Sequence, residues 1–231
     1  MTSQLQPVLK PEITYPESDG RPMSDNTKQF RWIVVIQQNL EWLFAAIADV
    51  FVAGDLLWYP VEGDNKTCQA PDVMVVFGRP KGDRGSYRQW EEGNIAPQVV
   101  FEILSPSNTQ TEMNKKLVFY NRYGVEEYYL YDPDKKDLSG WCRKGEQLDI
   151  IDPIDQWTSP RLGIRFDLSG EELQIYRPDG KRFLTYVEIA QQAEQAEQQL
   201  EQTEQQLEQE RQRAERLAAH LRSLGIDPDQ V

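Results

Sequence analysis

The sequence predicts an α/β fold in which a mixed sheet is flanked by helices and followed by a C-terminal coiled-coil helix. In residues 30–49 apolar side chains recur every three or four positions, which is the period of a helix. Valine-rich runs at 71–78 and 97–106, and an aromatic run at 125–134, end in Gly or Pro and are typical of strands. From residue 188 onward Glu, Gln, Ala and Leu dominate, which indicates a long helix.

Four segments follow from these patterns. Thr109 or Thr111 is expected to cap a helix that ends near Tyr123, because Gly124 follows. After residue 137, short segments separated by turn signals are expected to add antiparallel strands to the sheet. The segments are an extended arm at 1–29, the α/β domain at 30–187, a coiled coil at 188–225 and a tail at 226–231.

The C-terminal helix carries a heptad pattern. Ten consecutive seam positions between 193 and 224 hold eight apolar residues, interrupted by Thr203 and Glu210. Such a seam predicts a homodimer formed through residues 193–224, and the alternative is a lone, solvated helix.

Composition excludes several classes of protein. The formal net charge of -13 argues against non-specific coating of nucleic acid, which requires many cations. Two cysteines, Cys68 and Cys142, are too few for a disulfide scaffold, and the single His220 makes a histidine base improbable. No apolar run is long enough to span a membrane, and the first residues contain no signal core. We therefore expect a cytoplasmic protein without a membrane partner.

Two carboxylates stand out because they lie in apolar surroundings. Asp72 begins the run PDVMVV, and Glu102 lies inside VVFEIL. A carboxylate buried in a strand is costly unless it is paired or binds a metal. If the two strands are neighbours, about 4.8 Å apart, both carboxylates can bind one Mg²⁺ ion. The alternative is that each faces solvent at a sheet edge.

A lysine on the following helix is the third candidate. Helical spacing places Lys116 on one face with Phe119, Tyr120 and Tyr123, whereas Lys115 points toward water. If Lys116 faces the carboxylates, it can stabilise charge that develops on a phosphate. The alternative is a lysine that extends past aromatic rings to reach solvent.

The loop at 79–96 combines cations with aromatic residues. Its cations are Arg79, Lys81, Arg84 and Arg88, and Tyr87 and Trp90 lie among them. Such a loop can contact nucleic-acid bases by stacking, and the alternative is an ordinary solvated loop.

These motifs resemble the Uma-two family of restriction-endonuclease-like proteins, in the PD-(D/E)XK nuclease superfamily. The resemblance covers about residues 15–187 and is most specific at 97–133. The matching residues are Pro71-Asp72, Glu102 with Ser105-Pro106, Lys116 with Tyr120, Gly124-Val125 with Glu127-Tyr128, and Asp132-Pro133. The sequence departs from the superfamily at Leu104, where a lysine is usual, and at Phe30, where many members have histidine.

The resemblance implies a restriction-endonuclease-like fold and a Mg²⁺-dependent (or Mn²⁺-dependent) endodeoxyribonuclease. It implies catalytic roles for Asp72, Glu102 and Lys116, the last on the helix because Leu104 replaces the usual lysine. Asp72, Glu102 and the carbonyl of Ile103 would be the metal ligands, and DNA the partner. The alternatives are a non-catalytic scaffold with this fold, assembled by its coiled coil, and a metal-free sugar or nucleotide hydrolase.

Overall fold

The computed structural model describes residues 13–20, 24 and 26–223 and divides into two compact units, one ending at Phe183 and the other beginning at Leu184. Within the predicted N-terminal arm, residues 13–20 form neither helix nor strand, and the predicted tail at 226–231 lies outside the described residues. The elements are α1 (Thr27–Leu43), β1 (Val50–Gly54), β2 (Trp58–Tyr59), β3 (Val73–Phe77), β4 (Tyr87–Arg88), β5 (Val99–Ile103), α2 (Gln110–Arg122), β6 (Glu127–Asp132), β7 (Asp137–Lys144), β8 (Gln147–Ile150), β9 (Arg165–Asp167), β10 (Gln174–Tyr176) and α3 (Tyr186–Ser223).

The first unit is a mixed α/β fold around a six-stranded sheet. Its strand order is β1-β3-β5-β6-β7-β8, and β5 and β6 are parallel while every other neighbouring pair is antiparallel. Helix α2 connects the parallel pair, as parallel strands require a crossover. The sheet is therefore mixed, as the sequence predicted.

Two apolar cores cover the two faces of this sheet. Alternation along β5 directs Val99, Phe101 and Ile103 into the core that contains α1, whereas Val100 points into the core that contains Tyr120 of α2. Glu102 has the same parity as Val100, so its side chain lies on the α2 face. The sheet thus places Glu102 beside α2.

Local signals determine both helices of this unit. Thr109 caps α2 in a reciprocal capping box with Glu112, and the helix ends before Gly124, which has a φ of 91°. The side chain of Asn26 caps α1, so this helix begins and ends earlier than the predicted 30–49. The prediction of a helical Ile47 was wrong, because α1 ends at Leu43 and Ile47 lies exposed in the turn that precedes β1.

The expectation that all late strands extend the main sheet was wrong for the last two. Strands β7 and β8 do extend it, but β9 and β10 pair with each other in a separate two-stranded sheet. Their side chains Phe166 and Ile175 are buried in the same core as α1. Burial of these apolar side chains in the core stabilises the fold more than two further strands at the edge of the main sheet would.

The second unit contains one long helix. Helix α3 runs for 38 residues and has no buried residue, and Leu200, Leu207 and Leu217 are exposed. The last predicted seam position, Leu224, lies outside the described residues. Among the described helices, none is both long and apolar enough to cross a membrane.

Candidate active site

The two predicted carboxylates lie opposite each other on neighbouring strands. Asp72 immediately precedes β3 and Glu102 belongs to β5, and the antiparallel register pairs Val73 with Phe101. Continuing that register by one residue places Asp72 across from Glu102 on the same face of the sheet. Asp72 is 8% exposed and Glu102 is 2% exposed. The structure therefore brings together two buried carboxylates that are 30 positions apart in the sequence.

Asp72 is held by one backbone donor. Its Oδ2 atom accepts the backbone N–H of Ile103 at 2.6 Å. Burial, and next the charge of Glu102, hold the pKa of the Asp72 carboxyl well above its usual value. Two carboxylates in a poorly solvated place repel each other, so a cation bound there would stabilise both.

Glu102 is held by two residues of α2. The ammonium of Lys116 donates to its Oε2 atom at 2.7 Å, and the hydroxyl of Tyr120 donates to its Oε1 atom. Lys116 and Tyr120 are four positions apart, so they lie one above the other on the same face of α2. Burial, and then the charge of Glu102, hold the pKa of Tyr120 well above its usual value, so the hydroxyl keeps its proton.

Lys116 remains a cation in this site. Burial lowers its pKa, but the charges of Glu102 and Asp72 and the hydrogen bond to Glu102 outweigh burial and raise it. The neighbouring Lys115 is exposed, as the helical spacing predicted. A permanently charged ammonium can stabilise negative charge, but it cannot accept a proton at neutral pH.

Ile103 has a different partner from the one that the resemblance implied. Its carbonyl oxygen accepts the side-chain N–H of Gln29 at 2.8 Å. A carbonyl oxygen has two lone pairs, so this bond leaves one for a metal. Gln29 is buried on α1, while the neighbouring Phe30, which we compared with the family's histidine, is 46% exposed. Gln29 lies four positions before the buried Ile33, and Ile36 follows three positions later, so all three share one face of the helix. This helical period could have indicated that Gln29 is buried.

A third carboxylate, Asp55, lies beside the site, although the pair Gly54-Asp55 indicates only a turn in the sequence. Asp55 follows β1, in which Gly54 pairs with Val73, and its N–H donates to the carbonyls of Pro71 and Asp72. Burial and then the charge of Asp19 raise the pKa of Asp55. The charge of Lys116 lowers this pKa, and the charge of Glu102 raises it. Asp55 therefore belongs to the electrostatic surroundings of the site, next to Asp72.

The loop at 79–96 does not present its cations as the sequence interpretation required. Arg79 and Arg84 both bind the carboxylate of Glu92, with distances of 2.9 and 2.6 Å, and Arg88 lies 3.3 Å from Glu91. Tyr87 is fully buried and cannot stack on a base. Ion pairs within the loop therefore use up most of its positive charge.

The donor set of the site fits a hard divalent cation. Asp72 and Glu102 supply carboxylate oxygens from neighbouring strands, and such oxygens are the ligands that Mg²⁺ prefers. In the described part of the chain, no group of three or more His, Cys, Asp and Glu residues is placed to hold a metal. A two-carboxylate site suits Mg²⁺, which usually keeps several waters.

Comparison with known proteins identifies the family. The model of the Uma2 family, described as "Putative restriction endonuclease", matches residues 15–162. This match spans well over half of the chain, so the chain belongs to the Uma2 family. The chain is also similar to a crystal structure described as a putative nuclease belonging to DUF820 from Anabaena variabilis ATCC 29413. That similarity has 18% identity and a TM-score of 0.48, and it covers 66% of this chain and 86% of the other. No curated protein matches the sequence.

Proposed function

We propose that the protein is a cytoplasmic endonuclease that hydrolyses DNA phosphodiester bonds with Mg²⁺ or Mn²⁺. The family description points to a nuclease, and one structural observation supports the finer assignment. Asp72, Glu102 and Lys116 form one buried group in which two carboxylates face a single ammonium. This group has an excess of negative charge that a divalent cation would offset.

Asp72 and Glu102 would hold the metal, and the carbonyl of Ile103 would be a third ligand. When bound, the metal would lower the pKa of a coordinated water and reduce the charge on a phosphate oxygen. In the hydrolysis the attacking water would release one proton to solvent as its oxygen bonds to phosphorus, one phosphorus–oxygen ester bond would break, and the leaving oxygen would take a proton from solvent. The hydroxyl of Tyr120 holds the carboxylate of Glu102 in place, and the backbone N–H of Ile103 holds that of Asp72.

Lys116 would stabilise the transition state as a cation. Its raised pKa keeps the ammonium charged, and a fixed positive charge becomes more valuable as negative charge develops on the phosphate. In the structure this ammonium lies 2.7 Å from a carboxylate oxygen of Glu102. We therefore assign Lys116 to charge stabilisation and not to proton transfer.

A second candidate function is a non-catalytic scaffold. Both carboxylate oxygens of Glu102 accept a hydrogen bond, one from Lys116 and one from Tyr120. The Glu102 carboxylate therefore has hydrogen-bond partners without a metal. In a scaffold these contacts would only tie α2 to the sheet. The two functions differ in whether the purified protein cleaves DNA.

The test is a cleavage assay on supercoiled, linear duplex and single-stranded DNA with Mg²⁺, with Mn²⁺ and with excess chelator. The proposal expects cleavage of supercoiled DNA, which has no ends, because an endonuclease cleaves within a strand. It also expects loss of all cleavage in chelator. Cleavage that persists in chelator would contradict the metal requirement. Absence of cleavage under every condition would favour the scaffold.

We propose further that residues 188–225 form a coiled coil and that residues 193–224 join two copies of the chain. Three seam leucines of α3, Leu200, Leu207 and Leu217, are 55–70% exposed, so the second unit leaves most of its apolar stripe uncovered. Burying each leucine against a second copy would contribute about 1.5–3 kcal/mol before entropy costs. In a dimer, two nuclease domains at 30–187 could each cleave one strand of a duplex.

Removal of residues after 188 is expected to convert a dimer into a folded monomer, because the apolar seam lies beyond that point. Leu207→Glu should also dissociate the full-length chain, since it places a charge in the seam. Gln205→Glu adds the same charge outside the seam and should leave the dimer intact. Light scattering at micromolar concentration measures each mass, and a monomeric mass for the full-length chain would contradict the proposed dimer.

A further inference from the structure

A groove of about 290 Å³ lies between α2 and the loop that carries residues 66–69. Its lining includes three cations, Lys66, Lys115 and Arg122, and no acidic residue. This is unusual for a chain with a formal net charge of -13. The groove therefore forms a local basic surface on an acidic protein.

The cations of this groove are available to an external anion. Within the described part of the chain, Lys66, Lys115 and Arg122 form no ion pair, in contrast to the arginines of the loop at 79–96. The nearby acid on α2, Glu112, binds the N–H of Thr109 in the capping box. Asp64 lies beside one end of the groove, where its carboxylate accepts the backbone N–H of Lys66. Lys115 and Arg122 therefore carry most of the uncompensated charge.

Aromatic side chains give the groove a rigid apolar wall. The rings of Phe119 and Tyr123 lie 4.7 Å apart, and both pack against the fully buried Trp58 with centroid distances of 5.3 and 6.3 Å. Val118, which is 63% exposed, adds an apolar surface between the two basic residues of α2. A wall fixed in this way is already formed before a ligand binds.

The groove adjoins the candidate active site. Lys115 precedes the active-site Lys116 on α2. The ring of Trp58, which supports the groove, is parallel to the ring of Tyr120 at 6.4 Å, and Tyr120 donates to Glu102. A ligand in the groove therefore lies against the same helix, α2, whose Lys116 and Tyr120 bind Glu102.

We propose that this groove binds the phosphate backbone of the DNA strand beside the cleavage site. Lys115 and Arg122 are seven positions apart, which is about 10.5 Å along the helix axis. That distance exceeds the rise of about 3.4 Å between successive phosphates of one strand along a duplex axis. Two cations at this spacing can contact separate phosphates, while the apolar wall contacts sugars or bases. The inference rests on the proposed function, because it names where the substrate of that site lies.

The test compares DNA binding by two double variants of the full chain that lose the same charge. Binding of fluorescently labelled DNA is measured by anisotropy in chelator, which prevents cleavage, over a range of salt concentrations. K115Q/R122Q should weaken binding about tenfold and reduce the salt dependence of log K by about 1.8, which is two phosphate contacts. K135Q/K144Q removes two exposed lysines that do not line the groove and that each pair with an aspartate, and it should bind within about twofold of the wild type.

A charge-retaining variant separates binding from folding. K115R/R122K keeps both charges and should restore the affinity and the salt dependence of the wild type. Equal losses of DNA affinity in K115Q/R122Q and K135Q/K144Q would show a general effect of net charge and would overturn the proposal that the groove binds DNA. Unchanged affinity in K115Q/R122Q would also overturn it, and would be the result if an acidic protein were the natural occupant.

The groove and the nuclease assignment can fail separately. Metal-dependent cleavage by the wild type, together with unchanged DNA affinity of K115Q/R122Q, would leave the nuclease assignment in place. It would contradict the proposal that the groove binds DNA. Loss of binding by K115Q/R122Q without cleavage by any form would keep the groove as a DNA-binding surface and remove the nuclease assignment.

Discussion

Lys116→Met is expected to lower the single-turnover rate of DNA cleavage by about 10²–10³-fold, because it removes the fixed positive charge nearest the candidate metal site. Lys115→Met is the matched control, since it removes the same charge from the next residue of α2, whose side chain is exposed. At saturating DNA the control should keep most of the wild-type rate. The reverse ranking of these two variants would contradict the role assigned to Lys116.

Loss of fold must be separated from loss of chemistry in this experiment. Lys116→Met leaves Glu102 buried beside an apolar side chain, so we expect the free energy of unfolding to fall by up to about 3 kcal/mol. The double variant E102Q/K116M removes both charges of the pair and should regain much of that stability. The double variant lacks the metal ligand Glu102 and should be inactive for that reason, so cleavage by Lys116→Met is measured at a temperature where thermal unfolding shows this single variant to be folded. Full cleavage by folded Lys116→Met would show that Lys116 only supports the fold.

Asp72→Asn is expected to abolish binding of Mn²⁺ and cleavage of DNA without lowering the unfolding temperature. Asparagine keeps an oxygen that can accept the N–H of Ile103. It also removes a charge that burial and Glu102 make unfavourable, as the raised pKa of Asp72 indicates. Calorimetry measures Mn²⁺ binding, and thermal unfolding measures stability.

The control for Asp72→Asn is Asp149→Asn, which removes an exposed carboxylate from β8. It should leave metal binding and cleavage unchanged. Retention of Mn²⁺ binding by Asp72→Asn would contradict the two-carboxylate site, and a large drop in its unfolding temperature would show that the Asp72 charge stabilises the fold.

Much of the fold could be predicted because its signals are local. The capping box of Thr109 and Glu112 determines where α2 begins, and the valine-rich runs form β3 and β5. The same local contrast identified Asp72 and Glu102, since a carboxylate is conspicuous in an apolar run. The helical period placed Lys116 on the face that contacts Glu102.

The rest of the site depends on contacts between distant segments. Gln29 binds the carbonyl of Ile103, and this contact requires the packing of α1 on the sheet. Asp55 lies beside Asp72 only because β1 pairs with β3, and its position after Gly54 predicts a turn equally well. The partners of the loop arginines, Glu91 and Glu92, are near in sequence, but composition alone does not say which charges pair.

The most direct measurement is cleavage of supercoiled plasmid by the wild type and by Glu102→Gln, purified in parallel and assayed with Mg²⁺ and with Mn²⁺. Glutamine keeps the size of the side chain and removes the charge that would hold the metal. We predict nicked and linear products for the wild type, none above background for Glu102→Gln, and none for either protein in chelator. Equal cleavage by the two proteins would contradict the assignment of this site as the active centre.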